Sequence, residues 1–192
     1  MYYFAAFFHG TKPVDRLVQI RQGLKPESHC ALLKIEHEVR FETVKVEPII
    51  KIAHAVLNKG VILQTAGRYG TPPTSALLNH GVWMDVCFLG QGVAASDAWG
   101  FYVQELTKPY DLIGALGLCF KRPHVHLPSA WYCSEILATA LNKCPLPGAP
   151  NYPERAFPCQ LRKEMGKFYE FKRMVLRSDK VIDHPVLTNM IP

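Results

Sequence analysis

The chain is expected to fold as an α+β domain in which an antiparallel sheet packs against a helix led by a cysteine. Three observations carry that expectation. Strand-like runs dominate the first ninety residues or so without regular strand–helix alternation, which favours antiparallel pairing over a parallel sheet. The 192 residues are 48% hydrophobic and 11% aromatic, with mean hydropathy +0.01, enough to bury a sizeable core and too apolar for a disordered chain. In WYCSEILATAL, Cys133 stands directly before a helical pattern opened by Ser134 and Glu135.

The elements follow in order. MYYFAAFF is rich in Tyr and Phe and stops at His9 and Gly10, so it reads as a buried first strand. It lacks the basic flank and cleavage site of a signal peptide, and no apolar run is long enough for a bilayer. A cytoplasmic or virion-associated location is therefore expected. Apolar residues at 14, 17, 18 and 20, with Pro13 before them and Gly23 after, predict a short amphipathic helix. Cys30 to Ile35 is a compact apolar run, read as a central strand with His29 at its entrance. Val39 to Val46 alternates with period two and predicts a half-buried strand. Ile49 to Leu57 is read as a helix containing His54, and Val61 to Ala66 as a strand.

Gly67 to Gly81, with its Gly and Pro residues, is expected to be a loop, followed by a strand over Val82 to Leu89. A helix is predicted from Ala94 to Leu106, capped by Ser96 or Asp97. Pro109 to Gly117 reads as a turn and a small-residue helix, Lys121 to Ser129 as a loop, and Ser134 to Leu141 as the cysteine-led helix. After Cys144, the prolines between 145 and 153 demand irregular backbone, and Met174 to Leu176 is strand-like. Residues 1–144 are thus expected to form the main domain, with 145–192 an extension packed on it.

Net charge is +6 and the pI about 9.0, but the basic residues are dispersed. No nucleic-acid partner is expected; an anionic substrate or a membrane surface would suit the charge equally. Six cysteines at 30, 87, 119, 133, 144 and 159 include no C-x-x-C pair, which excludes a zinc ribbon or thioredoxin motif. Cys119, His124, His126 and Cys133 are close in sequence, but Pro123 and Pro128 and irregular spacing argue against a metal site. No cofactor or metal is expected.

Cys133 has two readings: an ordinary buried thiol, or a nucleophile at a helix N-terminus, where the dipole lowers a thiol's pKa. A nucleophile needs a base and a group to orient that base. Among eight histidines, His29 stands out because a strand end holds a base rigidly; His80, before a strand, stays open.

Five motifs occur in order: PVDRLVQIRQG, PESHCALL, VWMDVCFL, KPYDLIGALG and WYCSEILATAL. The order resembles that of the circularly permuted papain-fold cysteine hydrolases of the NlpC-like, YiiX/YaeF type, some of them phage-encoded. The match covers residues 1 to about 144. The resemblance implies a permuted papain-like fold, Cys133 as nucleophile and His29 as general base. For the third polar group this chain departs from the family, because an additional strand and helix are expected between Ile35 and Gly60. Gln64 has the better spacing to the Trp-Asp strand and is chosen; Glu42 lies at the better distance from His29. Tyr110 and Asp111 are expected to pack and cap, and Glu135 to face away from the sulfur.

The implied activity is a thiol hydrolase, a peptidase or amidase acting on an amide or ester through an acyl-enzyme. The alternatives are a binding or virion-structural protein of the same fold and a lipid acyltransferase. Substrate and oligomeric state are not legible in the sequence.

Overall fold

The aromatic run at the start of the chain becomes the middle of a sheet. The computed structural model describes residues 1–40, 45–68, 73–81, 83–119, 127 and 129–176. In it β1 (Tyr2–His9) lies between β2 (Glu27–Arg40) and β5 (Trp83–Gly90), antiparallel to both. With β3 (Lys45–Val56), β4 (Gly60–Arg68) and β6 (Phe171–Val175), the order is β4-β3-β2-β1-β5-β6, every pair antiparallel. The helices are α1 (Pro13–Arg21), α2 (Ser75–Leu78), α3 (Val93–Gln104), α4 (Leu112–Cys119), α5 (Cys133–Lys143) and α6 (Pro158–Met165). The architecture is mixed α+β, and no helix among the described residues is long and apolar enough to cross a membrane.

Tyr3 to Phe8 are exposed by no more than 4%, so both faces of β1 are covered. That is why its sequence is continuously apolar rather than alternating. Tyr3, Ala5 and Phe7 share one face with Cys30 and Leu32 and pack with α3, α5 and α6. Phe4, Ala6 and Phe8 join Ala31, Leu33 and Ile52 on the other, beneath Leu77 of α2. Burial of each Phe side chain contributes about 2–3 kcal/mol.

Several expectations need correction. The helix predicted over Ile49 to Leu57 is a strand, β3. Its apolar residues at 49, 50, 52, 53 and 55 fit a helical stripe, but they face both covered sides of the sheet. Three isoleucines also favour the extended chain. The strand expected over Val39 to Val46 covers the end of β2, residues 41–44 outside the described residues and the start of β3, and β3 pairs antiparallel with β2, with Leu32 opposite Ala53 and His37 opposite Pro48. β2 runs to Arg40 and β3 starts at Lys45, so Glu42 lies outside the described residues. A short helix, α2, occupies part of the expected 67–81 loop, and α3 starts at Val93 with Gly92 as its cap, ahead of Ser96 and Asp97.

The chain after 144 supplies α6 and the sheet's edge strand β6, with Asp85 opposite Arg173 and Met84 opposite Met174. Asp85 is almost fully buried and gathers the charges there. Its carboxylate accepts from Arg162 Nε at 2.9 Å and Arg173 Nε at 2.8 Å, and His9 Nε2 lies 3.2 Å away. Burial pushes its carboxyl pKa up, but the hydrogen bonds from His9 and Arg173 and the charge of Arg162 outweigh that and hold it well below the usual range.

Candidate active site

The start of α5 is held from three directions. Trp131 N–H donates to Pro109 O at 3.1 Å, Asp111 N–H to Trp131 O at 3.0 Å, and the Trp131 indole to Glu105 Oε2 at 2.5 Å. Tyr132 OH donates to Glu154 O and Ser134 Oγ to Ala156 O, both at 2.5 Å. Asp111 caps α4, accepting from Gly114 N–H at 2.7 Å, and also accepts from Leu127 N–H at 3.0 Å, the structural duty expected of it.

These ties set Cys133 at the first position of α5, only 6% exposed. Its thiol pKa is lowered by a hydrogen bond from the Cys30 side chain, against burial, with further help from the backbone N–H groups of Cys30, Ser134 and Cys133. Cys30 moves the other way, raised by burial and by the same contact. Glu135 accepts from Tyr132 N–H at 3.5 Å. Burial, with Asp111 and Glu154 nearby, lifts its pKa to about 8. At neutral pH it is largely protonated and offers little charge to oppose a thiolate. The Tyr102 hydroxyl is fully buried, close enough to feel Cys30 and Cys133, and has no hydrogen-bond partner among the described residues.

A second group of polar side chains is built on β2, β3 and β4. His29 Nε2 lies 3.1 Å from His54 Nδ1, and His54 Nε2 lies 3.2 Å from Gln64 Oε1. His80, just beyond α2, stacks on His29 with ring centroids 4.2 Å apart and planes 13° apart. It meets His54 edge-on at 4.7 Å. Burial lowers all three: His54 to about 4, His80 to about 3, and His29 well below its ordinary value, with the neighbouring histidines adding to the shift in His29. All three imidazoles are therefore neutral at pH 7.

A cavity of about 430 Å³ joins the two groups, lined by Cys133, His29, Gln64 and His80 among others. The predicted residues thus share one cavity, but not one hydrogen-bond chain. His29 reaches Gln64 only through His54. Along β2, Cys30 shares α5's face, whereas His29 lies with Phe8 on the other. Among the described residues no hydrogen bond joins His29 to Cys133. His54 was missed because its strand was read as a helix; the three isoleucines around it were the available signal. Cys30 was missed because it reads as a core residue, which it also is. The side chains of Cys119, His124 and His126 lie outside the described residues.

No protein-family model matches this chain, and no curated protein matches it either.

Proposed function

We propose that the protein is a thiol hydrolase that cleaves an amide or ester bond through a Cys–His acyl-enzyme, on the permuted papain-like plan its motif order resembles. One observation carries the reading: His29 and Gln64, the two ends of the His29–His54–Gln64 chain, border the same cavity as Cys133, whose thiol pKa is lowered. Cys133 is the nucleophile and His29 the base. His54 orients His29, and Gln64 acts one step further out, holding His54. Because His29 uses Nε2 toward His54, its Nδ1 is the atom left to accept a proton.

In the reaction, the Cys133 thiol gives its proton to His29 Nδ1 and the sulfur attacks the carbonyl carbon. The backbone N–H of Cys133 stabilises the oxyanion. Collapse expels the amine or alcohol, which takes the proton from His29, and water then releases the acid. The mechanism requires His29 Nδ1 to come within reach of the sulfur when substrate binds; in empty sites such contacts are commonly long. Leu17, Val18, Leu112 and Leu116 line the cavity beside Lys12 and Lys59, which suits a substrate with an apolar group and a polar or anionic one.

A second reading, a binding protein of the same fold without turnover, is favoured by the thiol's having Cys30 rather than His29 as its partner. Iodoacetamide labelling from pH 4 to 9, with peptide mapping, separates the two. The hydrolase reading expects selective labelling of Cys133 well below the ~8.5 of a free thiol, lost in His29→Ala and weakened in His54→Ala. Labelling no faster than at the other cysteines would overturn it and establish the second reading.

A further inference from the structure

Acyl transfer at Cys133 needs one histidine as base and one as support, and leaves His80 without a task. Yet His29, His54 and His80 each offer a ring nitrogen, and these nitrogens all lie within 4.8 Å of one another. Three imidazoles so placed, with no carboxylate in the group, form the donor set that borderline transition-metal ions take.

A second observation points the same way. Gln64 Oε1 can only accept, so His54 Nε2 carries its proton and Nδ1 presents a lone pair to the cluster. A carbonyl behind the far nitrogen is the usual support of a metal-ligating histidine. His54 Nδ1 and His29 Nε2 are 3.1 Å apart. Two nitrogens on a tetrahedral zinc with Zn–N near 2.0–2.1 Å sit about 3.3 Å apart. The spacing therefore suits either a shared proton or a shared ion. The other convergent group, His9, Glu27 and Asp85, is different in kind, because Arg162 and Arg173 already supply its cations.

We propose that His29, His54 and His80 bind one divalent ion of the zinc class, with Gln64 orienting His54 and the fourth position open to the cavity. This departs from the sequence-based expectation of no metal, and it does not depend on Cys133 being a nucleophile. Where both hold, an ion on His29 removes the base, so Zn²⁺ opposes activation of the thiol.

The test uses the full chain, stripped with a chelator and titrated with Zn²⁺ by calorimetry, with bound metal counted by elemental analysis. His80→Ala, Gln64→Ala and Cys133→Ser are run alongside, their folding checked by circular dichroism. The expected result is one Zn²⁺ per chain, weakened more than tenfold by His80→Ala, by about tenfold in Gln64→Ala, and unchanged in Cys133→Ser. Absence of binding, binding indifferent to both His80→Ala and Gln64→Ala, or binding that follows Cys133 instead would each overturn it. Because Gln64→Ala removes no ligand and is only half-buried, it decides the matter even if His80→Ala does not fold. Cys133 that stays inert in the metal-stripped chain, with Zn²⁺ bound on titration, would defeat the hydrolase reading and leave this site standing; an activated thiol in a chain that binds no Zn²⁺ would do the reverse.

Discussion

Replacing Asp85 with Asn removes a buried negative charge on which three elements converge. Its side chain is 3% exposed, and its partners come from β1, α6 and β6. Loss of the charge leaves those partners unequally stranded. Arg173 is 57% exposed and can rehydrate, and Arg162 at 30% keeps Glu27 Oε1 at 3.4 Å, whereas His9 at 4% cannot reach water. Removing one member of a buried pair costs 3–5 kcal/mol, so with one partner near solvent we expect about 3 kcal/mol. For a domain of this size that lowers Tm by about 6–12 °C.

Urea unfolding of wild type and Asp85→Asn measures the loss directly. The pH dependence follows from the depressed carboxyl. A carboxylate with a lowered folded-state pKa contributes stability above its unfolded pKa and loses it as pH falls through the folded value. The difference between the two proteins should therefore be flat from about pH 5 to 8 and shrink below about pH 4. A cost under about 1 kcal/mol, or one that does not shrink in acid, would refute the claim that this carboxylate pins the C-terminal segment to the sheet.

Three other substitutions test the site. Glu135→Gln should stabilise the fold at pH 8 by about 1–2 kcal/mol and have little effect near pH 4. The sign follows because a carboxyl with a folded pKa raised to about 8 favours the folded state at low pH and loses that advantage as pH rises. Thermal melts at the two pH values check it. Cys30→Ala removes the S–H donor to Cys133 and should slow alkylation of Cys133 at pH 7 by about fivefold, the worth of one hydrogen bond near 1 kcal/mol; an unchanged rate would leave the helix N-terminus as the source of the lowered thiol pKa. Tyr102→Phe removes a fully buried hydroxyl that has no partner among the described residues, and should raise stability by about 1 kcal/mol in urea.

Much of this molecule is legible in local pattern. The aromatic run of β1, the Pro13-to-Gly23 helix and the Ser-Glu start after Cys133 each specify one conformation over a few residues, because turn chemistry, capping and β-propensity act within a few bonds. That Cys133, His29 and Gln64 border one cavity was anticipated from the resemblance in motif order, not from local pattern. What local pattern could not resolve was β3. In β3 the apolar residues fill both faces, so helical and extended periods fit equally well, and only pairing with β2 and β4 decides between them. His54 owes His29 and Gln64 to that pairing, whereas His80 and Cys30 meet their partners because α2 and α5 pack on the sheet. Composition and local pattern are enough to say which residues are apolar, where the chain turns, and that a thiol leads a helix. That three imidazoles meet, and that the thiol's immediate partner is another thiol, is settled only in three dimensions, because strand register, sheet face and the seating of α2 and α5 on the sheet bring distant residues together and no short-range preference does.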